Sequence, residues 1–160
     1  MSIHDENKTT FEADGFVVVR NLMNESVLAQ ISEELEELKA KVESREYRGN
    51  HMFDDDVVAR AIFNPYDFSP AYREFIDTPE VIGLVRELLG TPVRLDHTKL
   101  MCKPAGKGSV VHPHQDYYYW QDKNPNQLAM FIAIDPCTEE NGCLRLFPGS
   151  HKEGLRAHTK

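Results

Sequence analysis

The sequence predicts an α+β fold in which a helical first half buttresses a second half of antiparallel strands. Three observations predict it. Capped stretches with helical apolar spacing concentrate before Gly90. Apolar runs of strand length and an Asn-Gly turn concentrate after it. No repeat or linker separates the two halves, so residues 1–160 read as one domain. Helices first and strands second imply a segregated α+β arrangement or a helix-buttressed β-sandwich.

Bulk properties narrow the function. Charged residues make up 28% and hydrophobic ones 41%, an ordinary globular balance. A net charge of −8 with scattered basic residues argues against a nucleic-acid partner, which needs a basic stripe. No run approaches the roughly 18 apolar residues of a membrane span, and the polar stretch Met1 to Thr10 lacks a signal-peptide core. A cytoplasmic location is therefore expected. Cys102, Cys137 and Cys143 lack close Cys-x-x-Cys pairing, so free thiols in a reducing compartment are expected.

Taken in order, residues 1–8 are expected to be disordered. Thr9 or Thr10 caps a helical turn through Phe11 to Asp14, stopped by Gly15. Phe16 to Arg20 is a β-branched run of strand length. Asn24 caps a helix over about residues 25–43, with Leu28, Ile31, Leu35 and Leu38 as its core-facing stripe. Residues 44–56 read as an exposed loop; Asp54 to Asp56 superficially suggest a calcium loop but lack its spacing and closing Glu. Residues 57–63 fit a short strand or a helical turn.

Ser69-Pro70 opens a helix through Phe75, and Thr78-Pro79 opens another, closed by Gly90. Pro92 to Lys103 reads as a strand, and the segment to Gly108 as a turn. Leu128 to Ile134 fits a strand buried on both faces. Thr138 to Gly142 ends in Asn-Gly, a hairpin signal, with Cys143 to Phe147 as the return strand.

The chemistry concentrates in residues 109–121, where His112, His114 and Asp116 fall within five positions. In an extended chain all three point to one face. His114 and Asp116 then offer one neutral nitrogen and one anionic oxygen to a common point, two-thirds of a 2-His-1-carboxylate facial triad. Spacing alone equally allows a surface histidine beside a histidine–aspartate pair.

Three stretches, spaced in order, resemble the phytanoyl-CoA dioxygenase family of Fe(II)/2-oxoglutarate oxygenases. Phe11 to Val19 looks like that family's opening helix and first strand. His112-Pro113-His114-Gln115-Asp116 looks like its His-Gln-Asp metal motif. Glu140 to Lys152, reading Glu-Asn-Gly-Cys-Leu-Arg-Leu-Phe-Pro-Gly-Ser-His-Lys, looks like its characteristic hairpin. The resemblance runs from about residue 9 to the end. It implies a double-stranded β-helix, or jelly roll, with helices packed on one sheet. In the family a second histidine and an oxoglutarate-binding arginine come from later strands, so the chain is expected to be the N-terminal part of a longer oxygenase. His151, His158 and Arg156 are not expected to fill those roles.

The resemblance further implies that His114 and Asp116 ligate Fe(II), with 2-oxoglutarate and O₂ at adjacent open positions. A carboxylate at 116 favours hydroxylation over halogenation, because related halogenases carry Ala or Gly there. Gln115 and Lys99 are cosubstrate-binding candidates; a structural amide and a solvated lysine are the alternatives. His112, Tyr117 and Tyr119 are candidates for the mouth that receives a small or lipid-like substrate, with core packing equally open for the tyrosines. Two competing readings remain. One is a zinc hydrolase, which begins His-x-His-x-Asp but needs His where Tyr117 stands. The other is a non-catalytic metal-binding module.

Overall fold

The computed structural model describes residues 3–54, 58–106 and 110–158. Among the described residues there are four helices, α1 (Ile3–Asp14), α2 (Glu25–Glu43), α3 (Pro70–Ile76) and α4 (Pro79–Leu89). They accompany one antiparallel sheet in the order β1 (His51–Asp54), β2 (Val58–Phe63) and β3 (Lys99–Met101). Short 3-10 turns cover Pro65–Asp67, Asp116–Tyr119 and Ser150–Glu153. Among the described residues, no helix is long and apolar enough to cross a membrane.

The helices start where the chain supplies acceptors for their unpaired N–H groups. Asn24 Oδ1 accepts from Val27 N at 2.9 Å and opens α2. Ser69 and Thr78 do the same for α3 and α4, each followed by proline at the first helical position. Gly90, at φ 69°, closes α4 in the left-handed conformation. The α2 stripe of Ile31, Leu35, Leu38 and Val42 is buried against Ala59 and Ile62 of β2, Phe75 and Ile76 of α3, and Val81 of α4. Each such side chain stabilises the fold by about 1.5–3 kcal/mol on burial. One polar contact adds direction to this packing. Glu34 of α2 accepts from the Ser69 hydroxyl at 2.6 Å and from Ala71 N at 3.0 Å, locking α3 onto α2.

Several elements differ from expectation. Residues 3–8, expected to be disordered, form the first turns of α1. The β-branched run 16–20 joins no ladder among the described residues. The loop expected at 44–56 contains β1, which exists through pairing such as His51 with Ile62 and bulges between Met52 and Phe53. The ambiguous 57–63 segment resolves as β2, with Val57 outside the described residues. The strand expected over 92–103 contracts to β3, whose Leu100 faces Ile62. Asp55 and Asp56 lie outside the described residues.

Residues 128–134 and 143–147 likewise join no ladder among the described residues. In the first, Met130, Ile132 and Ile134 pack on the core while Phe131 is 57% exposed, so one face is covered where two were expected. The hairpin turn itself forms. Cys143 N donates to Thr138 O at 2.9 Å, Thr138 N donates to Asn141 Oδ1 at 2.8 Å, and Gly142 adopts φ 79°. The Lys103 ammonium donates to the Gly142 carbonyl and ties this turn to the end of β3.

Candidate metal site

His114 and Asp116 do come together, by a different route from the single strand expected. Gln115 is extended, at φ −112° and ψ 122°, but Asp116 starts a 3-10 turn closed by Tyr118 N donating to Gln115 O at 2.9 Å. His114 Nε2 lies 3.3 Å from Asp116 Oδ1. The other ring nitrogen, Nδ1, is 2.8 Å from the carbonyl of His112. A carbonyl only accepts, so Nδ1 carries the proton and a neutral His114 presents a bare lone pair at Nε2. Two electron-rich atoms at that separation repel unless a proton or a cation lies between them. This donor set fits a divalent metal, and carbonyl orientation of a ligating imidazole is the usual supporting contact at such sites. The two side chains are 34% and 60% exposed, which leaves room for an incoming ligand. Among the described residues, no three His, Cys, Asp or Glu side chains converge as a complete metal cluster.

His112 enters through its backbone carbonyl; its own side chain is exposed. Tyr119 is 61% exposed, and its ring centroid is 6.0 Å from that of His114. Tyr117 is half-buried in the same 3-10 turn. Lys99, exposed on β3, places its ammonium 5.3 Å from the Phe63 ring centre in a cation–π contact.

Gln115 bonds to a distant segment of the chain. Its Nε2 donates to Gly154 O at 3.0 Å, and its Oε1 accepts from Arg156 N at 2.8 Å. Its backbone N–H donates to His158 Nε2 at 2.7 Å. Each polar end of the amide thus makes one bond to the segment after the hairpin, using one of its two N–H donors. The His158 ring centre lies 4.0 Å from that of Tyr118 and 6.0 Å from that of Tyr119. Because His158 Nε2 accepts, neutral His158 carries its proton on Nδ1, which is buried with no partner among the described residues.

Two supporting contacts were absent from the sequence reading. His151 Nε2 donates to Glu12 O at 3.2 Å, and Gly149 N donates to Asp14 O at 2.8 Å, so the hairpin's end caps the carbonyls that finish α1. On the far side of the Asp116–Tyr119 turn, Lys123 Nζ reaches Asp96 Oδ2 at 2.7 Å and sits 4.9 Å from the Trp120 ring centre. The Asp96 carboxyl is held below its usual range, first by the Lys123 hydrogen bond and then by that of His97.

A helical layer on a small antiparallel sheet, displaying a His-x-Asp pair beside a glycine-turned hairpin, defines the class of chain. Comparison with known proteins gives its family. The family model described as phytanoyl-CoA dioxygenase (PhyH) matches residues 11–160, and the chain belongs to that family. It is 28% identical to the ectoine dioxygenase of Nocardia farcinica, over 94% of this chain and 52% of that protein. It is 31% identical to a probable alpha-ketoglutarate-dependent hypophosphite dioxygenase of Stutzerimonas stutzeri, over 62% of this chain and 34% of that one. The chain therefore spans about half the length, or less, of these curated relatives. Among solved structures, AviO1 of Streptomyces viridochromogenes Tue57 superposes with a TM-score of 0.51 at 18% identity, covering 61% of this chain and 48% of that one, a likeness of fold.

Proposed function

We propose that the chain forms the His-x-Asp part of an Fe(II)- and 2-oxoglutarate-dependent dioxygenase that hydroxylates a small organic substrate, within a double-stranded β-helix. The observation that carries this reading is the pairing of His114 Nε2 with Asp116 Oδ1 at 3.3 Å, with the His114 proton placed on Nδ1 by the His112 carbonyl. Family membership supports it, as does the alpha-ketoglutarate dependence for which the Stutzerimonas relative is named. His114 and Asp116 would hold the iron.

When bound, iron with 2-oxoglutarate and O₂ supplies the oxidising equivalent, coupled to decarboxylation of 2-oxoglutarate to succinate. The chain's own part is placement. The His112 carbonyl holds the imidazole in its metal-binding tautomer, and the turn at Asp116 brings the carboxylate back toward it. Tyr119 stands beside His114 as an amphipathic wall for substrate. The Gln115 amide bonds to Gly154 and Arg156 through one N–H donor and one lone pair, so its second N–H remains a candidate contact for 2-oxoglutarate.

The test is Fe(II)-dependent conversion of 2-oxoglutarate to succinate, with metal binding measured in parallel. Turnover and stoichiometric iron that are both lost in His114→Ala support the reading; iron affinity that survives His114→Ala refutes the ligand assignment. A second reading, a metal-binding module without turnover, is favoured by the lack of a three-donor cluster among the described residues. Stoichiometric metal without succinate selects it. Stoichiometric zinc with hydrolytic activity refutes both.

A further inference from the structure

Gln115, the residue joining the two donors, is tied to a distant segment of the chain. Gln115 makes three hydrogen bonds to the segment from Gly154 to His158: its side chain to Gly154 O and Arg156 N, its backbone N–H to His158 Nε2. These partners lie 39 to 43 residues further along the chain. The segment's histidine ring stacks beside Tyr118 and reaches toward Tyr119, whose ring in turn flanks His114. A residue whose two neighbours supply the donors, and whose side-chain amide and backbone N–H all bond to one strap while its carbonyl closes the turn at Asp116, transmits the strap's position to those donors. The strap is not locked at every atom, because His158 Nδ1 is buried without a partner among the described residues. An unpaired buried donor lowers the cost of opening.

We propose that Gln115 is a positioning residue that latches the Gly154–His158 strap across the donor peptide, so that strap closure and metal binding form one coupled equilibrium. The inference rests on the metal reading above for its second half only. Metal favours the closed strap, and by linkage the closed strap favours metal by the same factor. The residue holds geometry and contacts neither substrate nor metal.

Arg156 lies within the strap, so trypsin cleavage after it reports opening when closure is fast relative to cleavage. The experiment uses the full untagged chain with cobalt(II) chloride as the only added ligand, and monitors cleavage by mass spectrometry. Co(II) is expected to slow cleavage after Arg156 by about fivefold or more in the parent, the low end of ordinary coupling. In Gln115→Leu, apo cleavage is expected to be faster than in the parent, Co(II) protection to vanish, and Co(II) affinity to fall by the same factor of about fivefold. Gln115→Glu, equal in size but presenting an acceptor to the Gly154 carbonyl, should behave likewise if Gln115→Leu does not fold.

Parent-like apo cleavage and undiminished Co(II) protection in a folded Gln115 variant would overturn the proposal. Faster apo cleavage with Co(II) affinity unchanged refutes the coupling, because a merely structural clamp gives that pattern. His114→Ala with parent Co(II) affinity refutes the metal reading instead. The latch is then decided by apo cleavage alone, which rises in Gln115→Leu if the latch exists and stays put if it does not.

Discussion

Gly15→Ala probes how the two ends of the described chain are joined. Gly15 ends α1 at φ 85°, and a Cβ built on it falls 2.4 Å from His151 Nδ1 and 2.7 Å from His151 Cγ. Two costs follow. An L-residue in the left-handed region loses about 1–2 kcal/mol, part of which alanine recovers by restricting the unfolded chain, about 0.4–1 kcal/mol. The overlap adds to this, since it forces the His151 ring away from the Glu12 carbonyl that it holds at 3.2 Å. The ring is exposed and has somewhere to go, so the displacement costs about 1–2 kcal/mol, the low end of overpacking plus a lost hydrogen bond.

The sum is a destabilisation of about 2–3 kcal/mol, measurable by urea unfolding as a lower midpoint at unchanged slope. A double-mutant cycle separates the two costs. In a His151→Ala background the overlap is gone, so Gly15→Ala should cost only about 1 kcal/mol, leaving a coupling of about 1–2 kcal/mol between the sites. Additivity within about 0.5 kcal/mol would refute the reasoning, since distant independent sites behave that way.

Three further outcomes are expected. Glu34→Ala, which removes the acceptor for the Ser69 hydroxyl and Ala71 N, should destabilise by about 2 kcal/mol in urea unfolding, with Glu34→Gln costing about half as much. His114→Ala should abolish stoichiometric Co(II) binding, whereas His112→Ala should leave affinity within about twofold, because the group that orients His114 is a backbone carbonyl that any residue supplies; isothermal titration decides. Burial pushes the Cys102 thiol from an ordinary value of 9.0 up to about 11, so at pH 8 it should react with a disulfide reagent far more slowly than exposed Cys137. The sign for stability follows. Above pH 9 the unfolded thiol loses its proton before the folded one, so this contribution is lost as pH rises toward 11, and Cys102→Ala should flatten the decline.

The helices were legible because their signals are local. The side chains of Asn24, Ser69 and Thr78 each satisfy an N–H group three residues on, and Gly90 needs only its own backbone freedom. Strands depend on what lies beside them. Phe16 to Val19 has strand composition and no ladder partner among the described residues; His51 to Asp54 lacks that composition and becomes β1 because β2 pairs with it. Propensity for a strand measures fit to a pleated, partly covered surface more than it specifies a backbone state. The 128–134 segment makes the same point. Its alternation is real, since Met130, Ile132 and Ile134 pack inward while Phe131 does not, yet apolar content alone could not say that only one face is covered.

The site divides along the same line. Proximity of His114 to Asp116 was legible at a spacing of two, because either an extended chain or a turn at the second residue brings such side chains together. The turn was missed, since the extended reading carried the alternation one residue too far. What the residue between them does was not legible. In an extended chain its side chain points away from the pair, which says where it does not act and leaves its partner to be chosen by chain some 40 residues away. The resemblance pointed Gln115 toward a cosubstrate, and the fold gives both ends of its amide to Gly154 and Arg156. The two uses draw on different atoms: an amide that donates to one carbonyl and accepts from one N–H keeps a second N–H, the group a carboxylate needs. If 2-oxoglutarate takes that second N–H with the strap closed, its binding should leave cleavage after Arg156 no faster; faster cleavage would show that the carboxylate displaces the strap instead.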